Sequence, residues 1–356
     1  MVSVASVTLR PTRRGPRDRV ARLAMPETGP LMDTHGRVHR DLRLSLTDRC
    51  NLRCSYCMPA GGMRFQPVGE HLSADELVRV AAVARDLGVR RIRLTGGEPL
   101  LRPDVVDIVG RLAGLRFDDL ALTTNGTRLG ALAPALAAAG LTRVNVSCDS
   151  LRADRFARLR RRGSLGVVLG AMDAAEGAGL RPLKVNVVPL VGENDDEVVD
   201  FAAFARRTGR VVRFIEYMPL DAEGRWDRAR VLAADEILAR VHRRWPLEPV
   251  CEDDADPAPA SRYRFSDGGG EIGVVATVTR PFCGTCDRLR VTADGAVRNC
   301  LFSHQEPSAR DLLRAGGTDE ELAHLIRRAV WAKLPGHGIN EPGFLRPARS
   351  MSMIGG

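Results

Sequence analysis

The sequence has almost no lysine. Of its 53 basic residues only Lys184 and Lys333 are lysines, so nearly all its positive charge sits on guanidiniums. These stay charged and grip anions through a planar fork. Aromatic residues are scarce too, at 4% of 356. That disfavours a surface that reads nucleic acid by stacking bases on rings. No uncharged apolar run reaches 18 residues, so no membrane-spanning helix is expected. The first residues hold no apolar centre of an export signal. No glycine-rich dinucleotide loop follows the first expected strand, and no internal repeat is visible.

Apolar residues make up 44% of the chain, enough for a substantial core. The net charge of +9 suits nucleic acid, a membrane surface or phosphate and selects none of them. Residues 1–40 carry eight arginines, four prolines and three acidic residues. They read as a disordered basic leader, with an organelle transit peptide as the alternative. Without an export signal the expected compartment is the reducing cytoplasm. Clustered cysteines there mean metal or catalysis more often than disulfides.

From residue 42 to 217, short β-branched or leucine-rich runs alternate with helical stretches. The expected strands are Leu42–Thr47, Arg91–Thr95, Leu120–Thr124, Val144–Cys148, Lys184–Pro189 and Val211–Tyr217. Ser73-Ala-Asp-Glu76 reads as a capping box opening a helix; Ala131–Ala139, Leu169–Ala178 and Asp195–Arg206 are further helices. This order predicts a parallel α/β sheet, as a full barrel, a partial barrel or an open doubly wound sheet. Polar signals gather after the strands, where barrel enzymes keep their sites. The acidic, then Pro/Ala-rich stretch 251–260 reads as a linker. Beyond it, short strands and a helix over Asp311–Lys333 are expected.

Six of the eight cysteines fall into two groups. Cys50, Cys54 and Cys57 have the spacing C-x3-C-x2-C, three thiolates with no fourth Cys or His close by. A structural zinc wants four ligands, whereas three can hold a four-iron cube and leave one iron open. Cys283, Cys286 and Cys300 form a second set of three. It suits a second such cluster, or zinc or four-coordinate iron with His304 as a fourth ligand. Cys148 reads as a small buried apolar residue and Cys251 as a bystander.

The first group, together with Thr95-Gly-Gly-Glu-Pro99 after the second strand, resembles the radical S-adenosylmethionine superfamily. Within it, Leu42–Pro59, Arg91–Pro99, Phe282–Arg290 with Cys300, and the terminal Gly355-Gly356 resemble the GTP 3′,8-cyclases of molybdenum cofactor biosynthesis. The resemblance runs from about Arg40 to Gly356. It implies a partial (β/α)6 TIM-like barrel over residues 41–250. A C-terminal α+β domain over 251–356 would carry a second iron–sulfur cluster. The implied cofactors are two [4Fe–4S] clusters and S-adenosyl-L-methionine. The implied reaction turns GTP into (8S)-3′,8-cyclo-7,8-dihydroguanosine 5′-triphosphate through a 5′-deoxyadenosyl radical, making the chain a lyase.

Residue by residue, the resemblance assigns Cys50, Cys54, Cys57, Cys283, Cys286 and Cys300 to the clusters. Tyr56, Gly97, Ser147 and Met218 fall to S-adenosylmethionine, with Asn125 as a polar neighbour. Arg43, Arg93, Thr123, Lys184, Arg213, Arg288, Leu289 and Arg290 are assigned to GTP, Leu289 through its backbone, with Arg91 as an addition. Gly355 and Gly356 would be catalytic as a thin tail entering the site. Implied partners are a low-potential electron donor, a downstream pterin synthase and a second copy in a homodimer, with no membrane and no nucleic acid. Two other readings remain: a radical enzyme maturating a peptide or protein, and a basic iron–sulfur or zinc protein that binds nucleic acid. The first would carry more C-terminal cysteines. The second lacks a recognisable nucleic-acid module.

Overall fold

Strict alternation of side chains builds the central sheet. The computed structural model describes residues 24–250 and 259–355. Its first six strands are β1 (Asp41–Ser45), β2 (Arg91–Thr95), β3 (Asp119–Thr124), β4 (Arg143–Ser147), β5 (Lys184–Val187) and β6 (Val211–Ile215). They pair in parallel in chain order. Leu42, Leu44, Ile92, Leu94, Leu120, Leu122, Val144, Val146, Val185, Val187, Val212 and Phe214 all turn to one face and join the main core. The intervening positions turn to the other face and, apart from Ala121, Val211 and Ile215, are polar or charged: Arg43 and Ser45, Arg93 and Thr95, Thr123, Asn145 and Ser147, Asn186, Arg213. A parallel sheet usually buries apolar side chains on both faces. Here one face packs under helices and the other lines a cavity, as in a partial barrel.

The helices on the apolar face are α1 (Ala74–Asp86), α2 (Val105–Gly114), α3 (Leu129–Ala138), α4 (Ala153–Arg160), α5 (Leu165–Gly177) and α6 (Val198–Thr208). The capping box forms as read: Ser73 accepts from the Glu76 amide and Glu76 reaches back to the Ser73 amide. Leu77, Val80, Ala81 and Ala84 then form the buried stripe of α1. The sequence reading missed α4, whose three arginines obscure its apolar pair Phe156 and Leu159.

The remaining elements are α7 (Ala234–Arg244), β7 (Leu247–Pro249), β8 (Ser261–Phe265), β9 (Glu271–Val275), β10 (Arg288–Val291), β11 (Val297–Arg298), α8 (Ala309–Arg314), α9 (Asp319–Trp331) and the turn α10 (Met351–Ile354). The expected single helix over Asp311–Lys333 is two. Gly316, at φ 84°, ends the first, and a Thr318–Glu321 capping box starts the second.

The C-terminal part is not appended behind the barrel. β9 adds in parallel to β6, and β10 adds in parallel to β1. The sheet runs β11-β10-β1-β2-β3-β4-β5-β6-β9-β8-β7. Both open edges of the six-stranded unit are thus covered, which removes two pairing liabilities. The boundary expected at 250/251 does not interrupt this sheet, since β7 and β8 on either side of it pair with each other. Most of the expected linker, with Cys251, lies outside the described residues.

The leader reading is corrected for its second half. Leu31, Asp33, Arg37 and His39 are buried, and Met32 bridges Val38. Arg37 and Asp33 pair at 2.6 Å. A charged residue that closes on a neighbour four positions away looks solvated in sequence and is not. Residues 1–23 lie outside the described residues. Leu31→Ala should cost about 2–5 kcal/mol, the usual range for an emptied leucine site. A thermal unfolding midpoint equal to that of the wild type would restore the leader reading to this segment. Among the described residues no helix is long and apolar enough to cross a membrane.

Candidate active site

The polar face of the sheet opens into a cavity of about 290 Å³. Arg290, Arg43 and Arg93 stand in one register across β10, β1 and β2. Arg288 lies one level below, beside Asp41, and Arg213 projects from β6. All five guanidiniums line the cavity and are largely buried. The Nε atoms of Arg43 and Arg93 have no hydrogen-bond partner. Burial and mutual repulsion hold Arg43 well below its usual range, bring Arg213 down to about 9 and Arg290 to about 10. Such a crowd of cations is costly without an anion between them. Thr123 also lines the cavity.

Three of the sequence-assigned positions stand apart from this wall. Lys184 lies outside the lining, although burial and the nearby Arg213 lower its ammonium to about 8. Leu289 alternates away from its arginine neighbours into the core, so only its backbone is available to the site. Arg91 is engaged elsewhere, donating to Asp287 at 2.7 Å, and is not part of the lining.

Cys50, Cys54 and Cys57 face one end of the cavity and form no disulfide. A turn closed by the Cys57 and Met58 amides on the Cys54 carbonyl brings the last two together. Tyr56, Gly97, Asn125, Ser147 and Met218 line the same cavity. The glycines of Thr95–Pro99 prove necessary for a reason internal to the chain. The Gly97 and Glu98 amides donate to Thr47 and Arg49 carbonyls, and a Cβ on Gly97 would overlap the backbone oxygens of Asp48 and Arg49. Glu98, pushed up to about 7 by burial, accepts from Thr124 Oγ1 and from the amides of Asn125 and Leu100.

Cys283, Cys286 and Cys300 face the other end. Burial pushes Cys50 up to about 11 and raises Cys57 further, with repulsion between the thiols adding to it. Cys286 differs: against its burial, Arg288 and Lys333 pull it down to about 6. Among the described residues no three His, Cys, Asp or Glu side chains converge as ligands of a single ion would. His304 lines a smaller neighbouring cavity together with Cys283, Cys286 and Cys300, and no such convergence makes it a fourth zinc ligand there. A four-iron cube spaces its thiolates more widely than one zinc does. Two sets of three free thiols, each facing open space, fit that larger group.

The tail also reaches this cavity. The Gly355 carbonyl accepts from Arg290 Nη1 at 2.9 Å, and the Ile354 carbonyl from Ser45 Oγ at 3.1 Å. Gly355 has φ 85°, and a Cβ there would overlap Ser45 Oγ. Gly356 lies outside the described residues.

Sequence reasoning missed three contributors. Arg160 donates to Cys54 Sγ at 3.4 Å and pairs with Asp149 at 2.8 Å; Asp149 also accepts from the Tyr56 hydroxyl at 2.7 Å. Asn186 accepts from Arg213 at 2.7 Å. Asp149 and Asn186 could have been found from strand alternation. Arg160 comes from the missed helix α4. Cys148 is buried in the core, as a small apolar residue would be, and its thiol bonds the Ser150 carbonyl.

Two family models match the chain: Radical SAM superfamily over residues 44–205 and Molybdenum Cofactor Synthesis C over residues 210–339. Relatives named GTP 3′,8-cyclase include one from Corynebacterium glutamicum, 48% identical over 337 residues, covering 92% of this chain and 89% of the relative. Another, from Streptomyces coelicolor, is 49% identical over 328 residues, covering 92% and 96%. Among solved structures, Streptococcus suis SuiB bound to S-adenosylmethionine aligns at TM-score 0.56 and 12% identity, over 82% of this chain and 69% of that one. Native anSMEcpe with bound AdoMet aligns at 0.54 and 14%, over 83% and 84%. These two share the fold. With both family models in order along the chain, and about half its residues shared with those relatives, this protein belongs to the GTP 3′,8-cyclase family of radical S-adenosylmethionine enzymes.

Proposed function

We propose that this cavity converts GTP to (8S)-3′,8-cyclo-7,8-dihydroguanosine 5′-triphosphate with the help of two [4Fe–4S] clusters, the first step of molybdenum cofactor biosynthesis. The observation that carries the reading is the arginine row standing between two sets of free thiols in one cavity. Cys50, Cys54 and Cys57 would hold one cluster, and Cys283, Cys286 and Cys300 the other. S-adenosylmethionine, reduced at the first cluster, supplies a carbon radical able to take hydrogen from a sugar.

The chain's own part is binding, orientation and exclusion of water. Tyr56, Gly97, Asn125, Ser147 and Met218 form the wall for S-adenosylmethionine. Arg43, Arg93, Arg213, Arg288 and Arg290, with Thr123, face the triphosphate, and Lys184, one level below Arg213 in the register, adds positive potential beneath them. Guanidinium forks bind phosphate oxygens bidentately. Because they are already crowded and desolvated, an entering polyanion relieves their repulsion without reorganising them. Gly355, held by Arg290, keeps that guanidinium aimed. The reading also requires a low-potential one-electron donor, and a pterin synthase to take the product.

Removing one charge from a buried polyanion contact costs about 2–5 kcal/mol. Arg43→Ala and Arg290→Ala should therefore weaken GTP by more than about tenfold while S-adenosylmethionine binds as before. Anaerobic calorimetry with each ligand reads both. Equal losses for the two ligands would mean a damaged fold and would end the phosphate assignment.

A further inference from the structure

One of the chain's two lysines stands where the other 51 cations are arginine elsewhere. Lys333 follows α9 and is only 4% exposed. Its ammonium donates to the Cys286 carbonyl at 2.9 Å, to Cys286 Sγ at 3.3 Å and to the Arg288 carbonyl at 3.1 Å. It also faces His39 Nε2 at 2.9 Å. Three N–H bonds meet four acceptors, so one is shared. A planar guanidinium could not aim at all of these sides, whereas a compact ammonium can.

The imidazole completes the arrangement. His39 Nδ1 lies 3.0 Å from the Arg37 carbonyl and donates to it, which leaves the Nε2 lone pair facing the ammonium. Burial, with Lys333 and Arg37 beside it, keeps the ring neutral down to about pH 2. Asp33 is already taken by Arg37 Nε at 2.6 Å and by the amides of His35 and Arg37. Arg37 Nη1 in turn donates to the Cys283 carbonyl at 2.7 Å. Residues 33–39 thus hold both cysteines of the Cys283–Cys286 turn, one by its carbonyl and the other through Lys333. A second cavity, of about 210 Å³, is lined by the same cysteines together with Arg37 and Lys333.

We propose that Lys333, oriented by His39, is a positioning residue for the second thiol group, donating to Cys286 Sγ so that the cluster held there is easier to reduce. This rests on the two-cluster reading above. Hydrogen bonds to cluster sulfurs and nearby positive charge both favour the reduced state. The N-terminal segment then serves the reaction through the potential of a cluster it never touches.

The test is an anaerobic redox titration of the reconstituted full-length enzyme, followed by electron paramagnetic resonance, in wild type, Lys333→Met and Lys333→Gln. Iron per chain is measured in parallel. Met removes charge and donor; Gln keeps a donor. At a fixed potential the reduced-to-oxidised ratio of the second cluster should fall about tenfold in Lys333→Met, equivalent to about 59 mV for a one-electron couple. The fall should be smaller in Lys333→Gln, and the first cluster should be unmoved in both. If Lys333→Met loses iron, the Gln variant alone carries the comparison. Full iron with a wild-type ratio overturns the proposal and leaves the two-cluster reading standing. Iron for one cluster in the wild type overturns both. If both variants lose the second cluster, Lys333 is a folding element and the proposal fails.

Discussion

Cys54→Ser is expected to give a folded protein that forms no 5′-deoxyadenosine above background. Cys54 is the innermost thiol of the first group, closed under Arg160 and the turn that leads to Cys57. With three thiols and, among the described residues, no fourth His or Cys converging on them, the site has no spare ligand there. A serine oxygen is shorter and harder than a thiolate and a poor partner for iron. Loss of one ligand from three therefore removes the cluster outright. The second group lies at the opposite end of the cavity and shares no ligand with the first, so iron should fall from about eight to about four per chain. Anaerobic reconstitution, iron analysis and chromatographic detection of 5′-deoxyadenosine read the outcome. Cleavage of S-adenosylmethionine at the wild-type rate would remove the first cluster from Cys50, Cys54 and Cys57.

Gly355→Ala should nearly abolish cyclisation while sparing both clusters, the fold and S-adenosylmethionine cleavage. The residue is buried at the ends of β1 and β2 with a positive φ, which a side chain resists. A methyl group there would overlap Ser45 Oγ and come within 2.6 Å of Thr95 Oγ1. The Ser45 hydroxyl can turn away only by giving up its bond to the Ile354 carbonyl, and its Cβ, 3.2 Å from the added methyl, stays in the sheet. The tail must leave its slot, and Arg290 then loses the carbonyl that fixes it. A misplacement of about 1 Å in a positioned group costs roughly a hundredfold in rate, which sets the expected loss. Deleting Gly355 and Gly356 should act alike, and a synthetic tail peptide should restore part of the activity. Wild-type turnover in Gly355→Ala would return the tail to a passive terminus.

The parallel unit was legible because its strands carry two signals at once. Runs such as Arg91–Thr95 are strand-like in composition and alternate strictly, so even the inward arginines could be named. The cysteines were legible by spacing alone. What escaped the sequence was partnership over distance. Nothing in Lys184 says that it stands below the lining, or in Arg91 that Asp287 holds it. Composition marked residues 24–40 as a solvated leader, because burial of Asp33 and Arg37 depends on their closing on each other. The helices α4 and α7 were passed over since arginine dominates their exposed faces. The glycines after β2 were expected to admit a ligand, and backbone packing against the cysteine loop also demands them.

The pairing of β10 with β1 has a consequence for biosynthesis. The first strand to leave the ribosome waits for one of the last before its outer edge is satisfied. Long-range pairing of this kind slows folding, since a large loop must close before any contact rewards it. During translation the nascent N-terminal half exposes an unpaired parallel edge and an incomplete row of guanidiniums, Arg43 and Arg93 without Arg290. The complete row therefore cannot form on a chain that stops short of β10. A prematurely terminated product would hold the first three cysteines yet lack the enclosure that shields a reactive radical. The register across that one edge thus acts as a completeness check: only the finished polypeptide acquires a competent interior.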